Sequence, residues 1–201
     1  MSATGLTRQR VSTGAIWLIA IAALAAGRLV TDHLPNPDTR ATAPFVVTAG
    51  LGQSASMRSG DLAVTEVTAA PTLSTLNGTL QSPGLFVRVT YRFTPNNESG
   101  QLLSTTVSAA NGWSWSSGIG ERVPRRCATA PPGVPAECAF IVEAPADRLV
   151  GAHAVFAANP DNADYDSQAD IDLGISPEDI ATWRAATKAI TLPEPTLGDA
   201  S

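Results

Sequence analysis

A chain of 201 residues, 44% of them hydrophobic, can bury one domain core and carry appendages, and it is too apolar to be disordered throughout. A net charge of −5 excludes the basic footprint of a nucleic-acid binder. Aromatics at 5%, with 16 glycines and 15 prolines, favour turns and short strands over long helices.

The charge is unevenly placed. The first 27 residues hold Arg8 and Arg10 and no acid; the other 11 of the 13 basic residues face 18 acidic ones, a net of −7. Such a body is soluble and is repelled by anionic headgroups rather than drawn flat onto them. Lys188 is the sole lysine. The arginine bias and the abundant alanine fit a GC-rich genome such as an actinobacterium's.

Val11–Gly27 carries no charged side chain and is closed by Arg28. Its length is at the short end of a membrane span, and its positive flank predicts an N-terminus inside and a C-terminus outside. Residues 1–10 therefore read as a cytoplasmic N-terminus and 11–30 as a transmembrane signal anchor. Ala23-Leu24-Ala25 also fits a small-x-small cleavage pattern, which keeps a removed signal peptide open as the alternative. A buried core helix would not be apolar around its whole circumference. Residues 31–44, with three prolines, read as an exposed stalk.

Residues 45–175 read as a β-sandwich domain. Its clearest strand is Leu85–Thr94: Leu85, Val87, Val89, Tyr91 and Phe93 fall on one face, while Arg88, Thr90, Arg92 and Thr94 fall on the other. Phe86 is the apolar exception. Period two with one wet face marks an antiparallel sheet. Weaker runs are Phe45–Ala49, Asp61–Thr68, Leu102–Ala109, Cys138–Glu143, Leu149–Ala157 and Asp170–Ile175, separated by turn pairs such as Asn77-Gly78, Pro83-Gly84 and Asn111-Gly112. About seven short strands predict an all-β, immunoglobulin-like antiparallel sandwich, with a small barrel as its rival. Within it, Trp113 and Trp115 alternate onto one strand face. Exposed, they would form a binding surface for a sugar ring or a protein partner; buried, they simply pack.

Both cysteines flank a proline-rich loop, Cys127 before it and Cys138 at the start of a strand. Ten intervening residues with Pro-Pro-Gly can bring two Cα atoms within the roughly 4.4–6.8 Å that a disulfide needs. Export supplies the oxidising conditions, so a structural disulfide is expected. Two thiolates without histidines are too few for zinc.

Asn159–Gly174 is acidic, and Asp164, Asp166 and Asp170 could offer oxygen ligands to calcium, although the run misses the EF-hand pattern and a solvated loop is the simpler reading. His153, on a strand, is expected to be hydrogen-bonded and structural. Ser176-Pro177-Glu178-Asp179 starts a C-terminal helix over 176–190, with serine at the N-cap, proline in the first turn and acid near the positive dipole end. Residues 191–201 then read as a disordered tail.

GDLAVTEV (60–67), LFVRVTYRF (85–93), the Asn96-Asn97 turn, NGWSW (111–115) and ECAFIVEAP (137–145) together resemble the immunoglobulin-like extracytoplasmic domains grouped as domain of unknown function 4352. The resemblance covers about residues 50–157 and implies fold and export rather than an activity. That family is usually tethered through a lipid-bearing cysteine; Arg28 stands where it would be, which favours a peptide anchor.

Chemistry is sparse. Gly112-Trp113-Ser114-Trp115-Ser116 stops one glycine short of a nucleophile elbow, and no phosphate loop, dinucleotide fingerprint or HExxH occurs. The expectation is a binding or accessory module of the cell envelope. It would not be an enzyme, would need no cofactor or nucleic acid, and would be held single-pass in the cell membrane with the domain outside and an envelope protein as partner. The alternatives are a hydrolase using carboxylates from separate strands and a ligand-free spacer.

Overall fold

The computed structural model describes residues 13–33, 44–118, 127–158 and 167–199. The chain divides into two units, Met1–Thr42 and Ala43–Ser201. In the first, helix α1 (Thr13–His33) takes up the apolar span and continues past Arg28. Trp17, Ile19, Ile21, Leu24 and Leu29 on it are exposed. Its charge-free part, 13–27, is about 22 Å long at a rise of 1.5 Å per residue. Among the described residues no helix is long and apolar enough to cross a membrane.

The second unit is an all-β sandwich. Its strands are β1 (Phe45–Gly50), β2 (Ser54–Ser56), β3 (Gly60–Thr75), β4 (Gly78–Pro95), β5 (Ser104–Ser108), β6 (Ser114–Ser116), β7 (Ala136–Ala144), β8 (His153–Ala157) and β9 (Ser167–Asp172). Helix α2 (Pro177–Arg184) follows, then β10 (Ile190–Thr191) and β11 (Thr196–Leu197). The first sheet has the order β1-β9-β8-β5-β6; the second runs β10-β3-β4-β7-β11, with β2 also on β3. The β4–β5 and β7–β8 connections each cross from the second sheet to the first. β1 lies parallel to β9, Phe45 opposite Ser167 and Gly50 opposite Asp172.

The alternation over 85–93 holds. Leu85, Val87, Val89, Tyr91 and Phe93 are each at most 1% exposed and line the inter-sheet core. β4 is the central strand of its sheet, paired with β3 on one side and β7 on the other. Between the sheets Tyr91, Phe140 and Phe156 form an aromatic cluster, with centroids 5.0 Å apart for Tyr91–Phe156 and 5.8 Å for Phe140–Phe156, both edge-on. Gly84 sits where a Cβ would strike the Ala144 carbonyl, so the close approach of β4 to β7 there needs glycine.

The sides of the sandwich are laced together. The Gly118 amide donates to the Ile141 carbonyl (2.9 Å), joining the end of β6 to β7, and the Arg58 amide donates to Ser167 Oγ (2.7 Å), joining the β2–β3 turn to β9. Cys127 and Cys138 form the expected disulfide (Sγ–Sγ 2.03 Å, Cα–Cα 5.0 Å). Cys138 faces inward on β7, opposite Tyr91, and is buried with the core.

Three expectations need correction. β3 and β4 extend as a hairpin arm beyond the expected runs Asp61–Thr68 and Leu85–Thr94, through Pro71 and through Pro83-Gly84, which was expected as a turn. Pro71 lies at a register shift between Ala70 and Thr72, where the missing N–H costs no ladder bond. The C-terminal helix ends at Arg184 rather than near 190. Its start is as expected: Ser176 caps the Asp179 amide, and Asp179 returns a carboxylate oxygen to the Ser176 amide and hydroxyl, which holds the Asp179 carboxyl below its ordinary range.

The third correction is the tail. Over 191–199 it is not disordered. β10 pairs with β3 at Leu73–Ser74, and β11 pairs with β7 at Ala136–Glu137, so the segment between them passes over β4. Arg88 Nη1 donates to the Thr191 carbonyl (3.2 Å). Ile190 closes a second apolar cluster with Ala70, Leu73, Phe86 and Ile141, and Leu192 packs against it. The face of β4 expected to be wet is therefore half covered, and Phe86 has its partners there. The same face also carries charge, with Arg88–Glu66 at 3.0 Å and Arg92–Glu137 at 2.6 Å.

Denaturant melts should separate the two faces. Val89→Ala should cost about 1–3 kcal/mol, and Thr90→Ala, on the open part of the other face, about 0.5 kcal/mol or less. Phe86→Ala should cost roughly 3–5 kcal/mol because the tail buries it; equal, small costs at 86 and 90 would mean that the tail does not lie there in solution. Replacing both cysteines by serine should lower stability by about 3 kcal/mol, the loop entropy of so small a ring. Free thiols detected by alkylation without reductant in exported protein would overturn the disulfide.

Candidate functional site

The two tryptophans differ in exposure. Asn111-Gly112 turns the chain between β5 and β6: the Ala109 amide donates to the Trp113 carbonyl (2.7 Å), the Gly112 amide donates back to Ala109 (3.0 Å), and Gly112 takes φ 85°, which glycine tolerates. Trp113 thus ends the turn and precedes β6, 61% exposed. Trp115, two residues on, pairs with Val107 and packs against the core. The Arg148 guanidinium lies 5.8 Å from the centre of the Trp113 ring, within cation–π range. Arg148 comes from the 3-10 turn Ala146–Arg148 between β7 and β8, and exposed Val150 follows it.

This tip has a definite place. Ser108, at the end of β5, pairs with His153, and His153 pairs with Asp172 at the end of β9. The chain enters the sandwich at the other end of β9, where Phe45 meets Ser167. Trp113 and Arg148 therefore stand at the end of the domain opposite that at which β1 begins, about 17 Å of strand away.

The outer face of the first sheet is polar. Thr105 and Val107 point inward, which turns Ser104, Thr106 and Ser108 outward beside His153. His153 Nδ1 and Asp170 Oδ1 are 2.9 Å apart, with both side chains partly exposed, so the hydrogen-bonded role expected of His153 is the one it has. The same contact occupies Asp170, one of the three aspartates of the calcium option; Asp164 and Asp166 lie outside the described residues. Among the described residues no group of three or more His, Cys, Asp or Glu side chains is arranged to hold a metal ion. The His153–Asp170 pair joins residues 17 apart in sequence through neighbouring strands, and no local motif announces it.

At the end where the chain enters, a cleft of about 410 Å³ lies between the β2–β3 turn and the loop after β4, lined by Arg58, Phe93, Asn97, Glu98 and Gln101 among others. Its opposite charges, Arg58 and Glu98, give it no single-sign field.

Set against known proteins, the chain matches no family model, no curated protein and no solved structure.

Proposed function

We propose that this chain is an extracytoplasmic binding or accessory module of the cell envelope, an immunoglobulin-like sandwich tethered by its N-terminal helix and presenting the Trp113–Arg148 tip to a protein partner. The observation that carries the reading is that tip: a large, exposed aromatic ring braced by an arginine, at the end of the domain remote from where the chain enters. Tryptophan and arginine are the side chains that most often anchor interfaces, because one ring or one guanidinium desolvates a large area at little entropic cost. The immunoglobulin-like assignment is supported by strand order. β3-β4-β7 facing β9-β8-β5-β6 follows the A-B-E and G-F-C-C′ order of that Greek key, with both crossovers where that fold has them.

The tether is supported by the seventeen charge-free residues Val11–Gly27 and the arginines on both sides. A span of that length is about 26 Å, a few ångströms short of a hydrocarbon core, a difference that local thinning and a snorkelling Arg28 accommodate.

One observation favours a second reading. Ser108, His153 and Asp170 share the outer face of the first sheet, and a hydroxyl, an imidazole and a carboxylate are the parts of a nucleophilic hydrolase. Strands on a flat sheet spend their N–H groups in ladders, however, which leaves no convergent donors for an oxyanion.

Fractionation of cells making the full chain should leave it in membranes after carbonate extraction; a mature N-terminus at Ala26 in the medium would replace the anchor by cleavage. Trp113→Ala should abolish co-purification of envelope partners captured with the full chain while leaving its melting midpoint within a degree or two. Unchanged capture would sink the tip as the binding site. Turnover of an ester, glycoside or peptide substrate, lost in His153→Ala, would replace the module reading with the hydrolase.

A further inference from the structure

The cleft at the end where the chain enters is held by its backbone, and its side chains are left over. One wall is the turn 57–60 between β2 and β3. The Met57 amide donates to the Gly60 carbonyl (2.9 Å), the Gly60 amide donates back to Met57 (3.3 Å), and Met57 is buried in the core. The facing wall is the loop 96–101 after β4. The Asn96 amide donates to the Ser59 carbonyl (3.2 Å), Gly100 and Ala130 exchange two backbone bonds of 2.9 Å, and buried Leu102 anchors the exit. Both walls are thus set by the fold, so binding between them asks for little ordering.

Arg58, Ser59, Asn97, Glu98 and Gln101 line the space of about 410 Å³, with Phe93 as an apolar part of the lining. None of these polar side chains makes a hydrogen bond or an ion pair with a described residue. Ser59 Oγ is nevertheless buried, and a buried hydroxyl costs free energy until something bonds to it. The two charges stand on opposite walls, Arg58 on the turn and Glu98 on the loop, and they do not pair with each other.

We infer that this cleft binds a small zwitterion carrying one carboxylate and one ammonium group, the chemistry shared by a free amino acid and a short peptide. The Arg58 guanidinium, a planar fork of donors, takes the carboxylate, and the Glu98 carboxylate takes the ammonium. The amides of Asn97 and Gln101 and the Ser59 hydroxyl both donate and accept, which suits polar atoms between the two ends. Fixed charges of opposite sign also discriminate. A monoanion or a monocation gains one contact and meets a like charge at the other wall, and a neutral sugar leaves both charges unmatched. The site lies at the end opposite Trp113 and does not depend on what the tip binds.

Ligand-observed NMR on the full chain tests this, with the common amino acids and their dipeptides as probes. At least one should bind, with a Kd on the order of 0.1–1 mM for so few atoms. N-acetylation or C-terminal amidation of that probe should weaken its binding at least tenfold. The order of affinity separates the two sources: a free amino acid above its dipeptides, or a dipeptide above its amino acids. Arg58→Gln should bind the free acid and the amide alike, and Glu98→Gln should bind the free amine and the N-acetyl form alike. Arg58→Lys, which keeps the charge, should still tell acid from amide. All three variants should melt within a degree or two of the unaltered chain; a larger drop would mean that these side chains hold the walls, and the inference fails. A panel without a binder overturns it. So do capped probes that bind as well as free ones, variants that discriminate like the unaltered chain, or displacement of the probe by an equal concentration of glucose.

Discussion

Strand β4 is the constraint on which the domain depends, because its inner face is buried, its outer face is half covered and both its edges are paired. On its inner face Tyr91 meets Phe140 of the neighbouring strand and Phe156 of the opposite sheet, so one ring couples the two layers. Edge-on rings have a preferred offset as well as an area to bury, and the cluster fixes how β8 stands over β4 and β7. Once that is set, the side lacings at Gly118–Ile141 and Arg58–Ser167 follow, because each joins backbone that the cluster has already brought to the rim. The disulfide reinforces the same place: Cys138 lies opposite Tyr91, one inward position from Phe140.

A sandwich fixed this way is rigid in its middle, and chemistry moves to its margins. The inward positions are mostly aliphatic, aromatic or alanine; Cys138, Ser167 and Thr105 are exceptions, and the Thr105 hydroxyl has no protein partner. The polar face of the first sheet, the Trp113 tip and the cleft at the other end are all built from outward positions or turns. Of these the tip presents an exposed tryptophan ring, Trp113. An aromatic ring in water next to a guanidinium has only partial cover, and a partner that completes it gains both area and a desolvated cation–π contact.

The sequence was most legible where a rule acts over a few residues. Period two over 85–93 located the central strand and its register, because a one-residue slip would bury Arg88 and Arg92. Phe86 broke that pattern, and the break was informative, since a phenylalanine on a wet face asks what covers it. The cover lies 104 residues away at Ile190, a distance at which no local pattern speaks. The disulfide was legible because only two cysteines exist and a short ring joins them. Capping of α2 was legible because Ser176 and Asp179 are three residues apart. The hairpin arm was lost because Pro83-Gly84 looks like a turn, although proline is tolerated at a bulge or a strand margin. Trp113 and Trp115 were paired by parity, but the Asn111-Gly112 turn closes on Trp113, so one ring lies at the exposed end of the hairpin and the other packs against the core.

The tail shows why low intrinsic order in a sequence need not mean absence of structure. Residues 191–199 have neither a strand pattern nor a helix period, and two prolines bar them from a ladder's interior. A segment that must cross strands, instead of joining them, meets the opposite requirement. It has to be extended, short of donors and anchored to the sheet. Proline supplies the first two properties, and Ile190, Leu192 and Gly198 contribute to the third. The feature that makes LPEP look disordered alone is the one that lets it lie across a sheet without leaving a buried amide unpaired. Such a segment takes its order from the surface beneath it, whereas the order of β4 comes from its own alternation and the rings on its inner face.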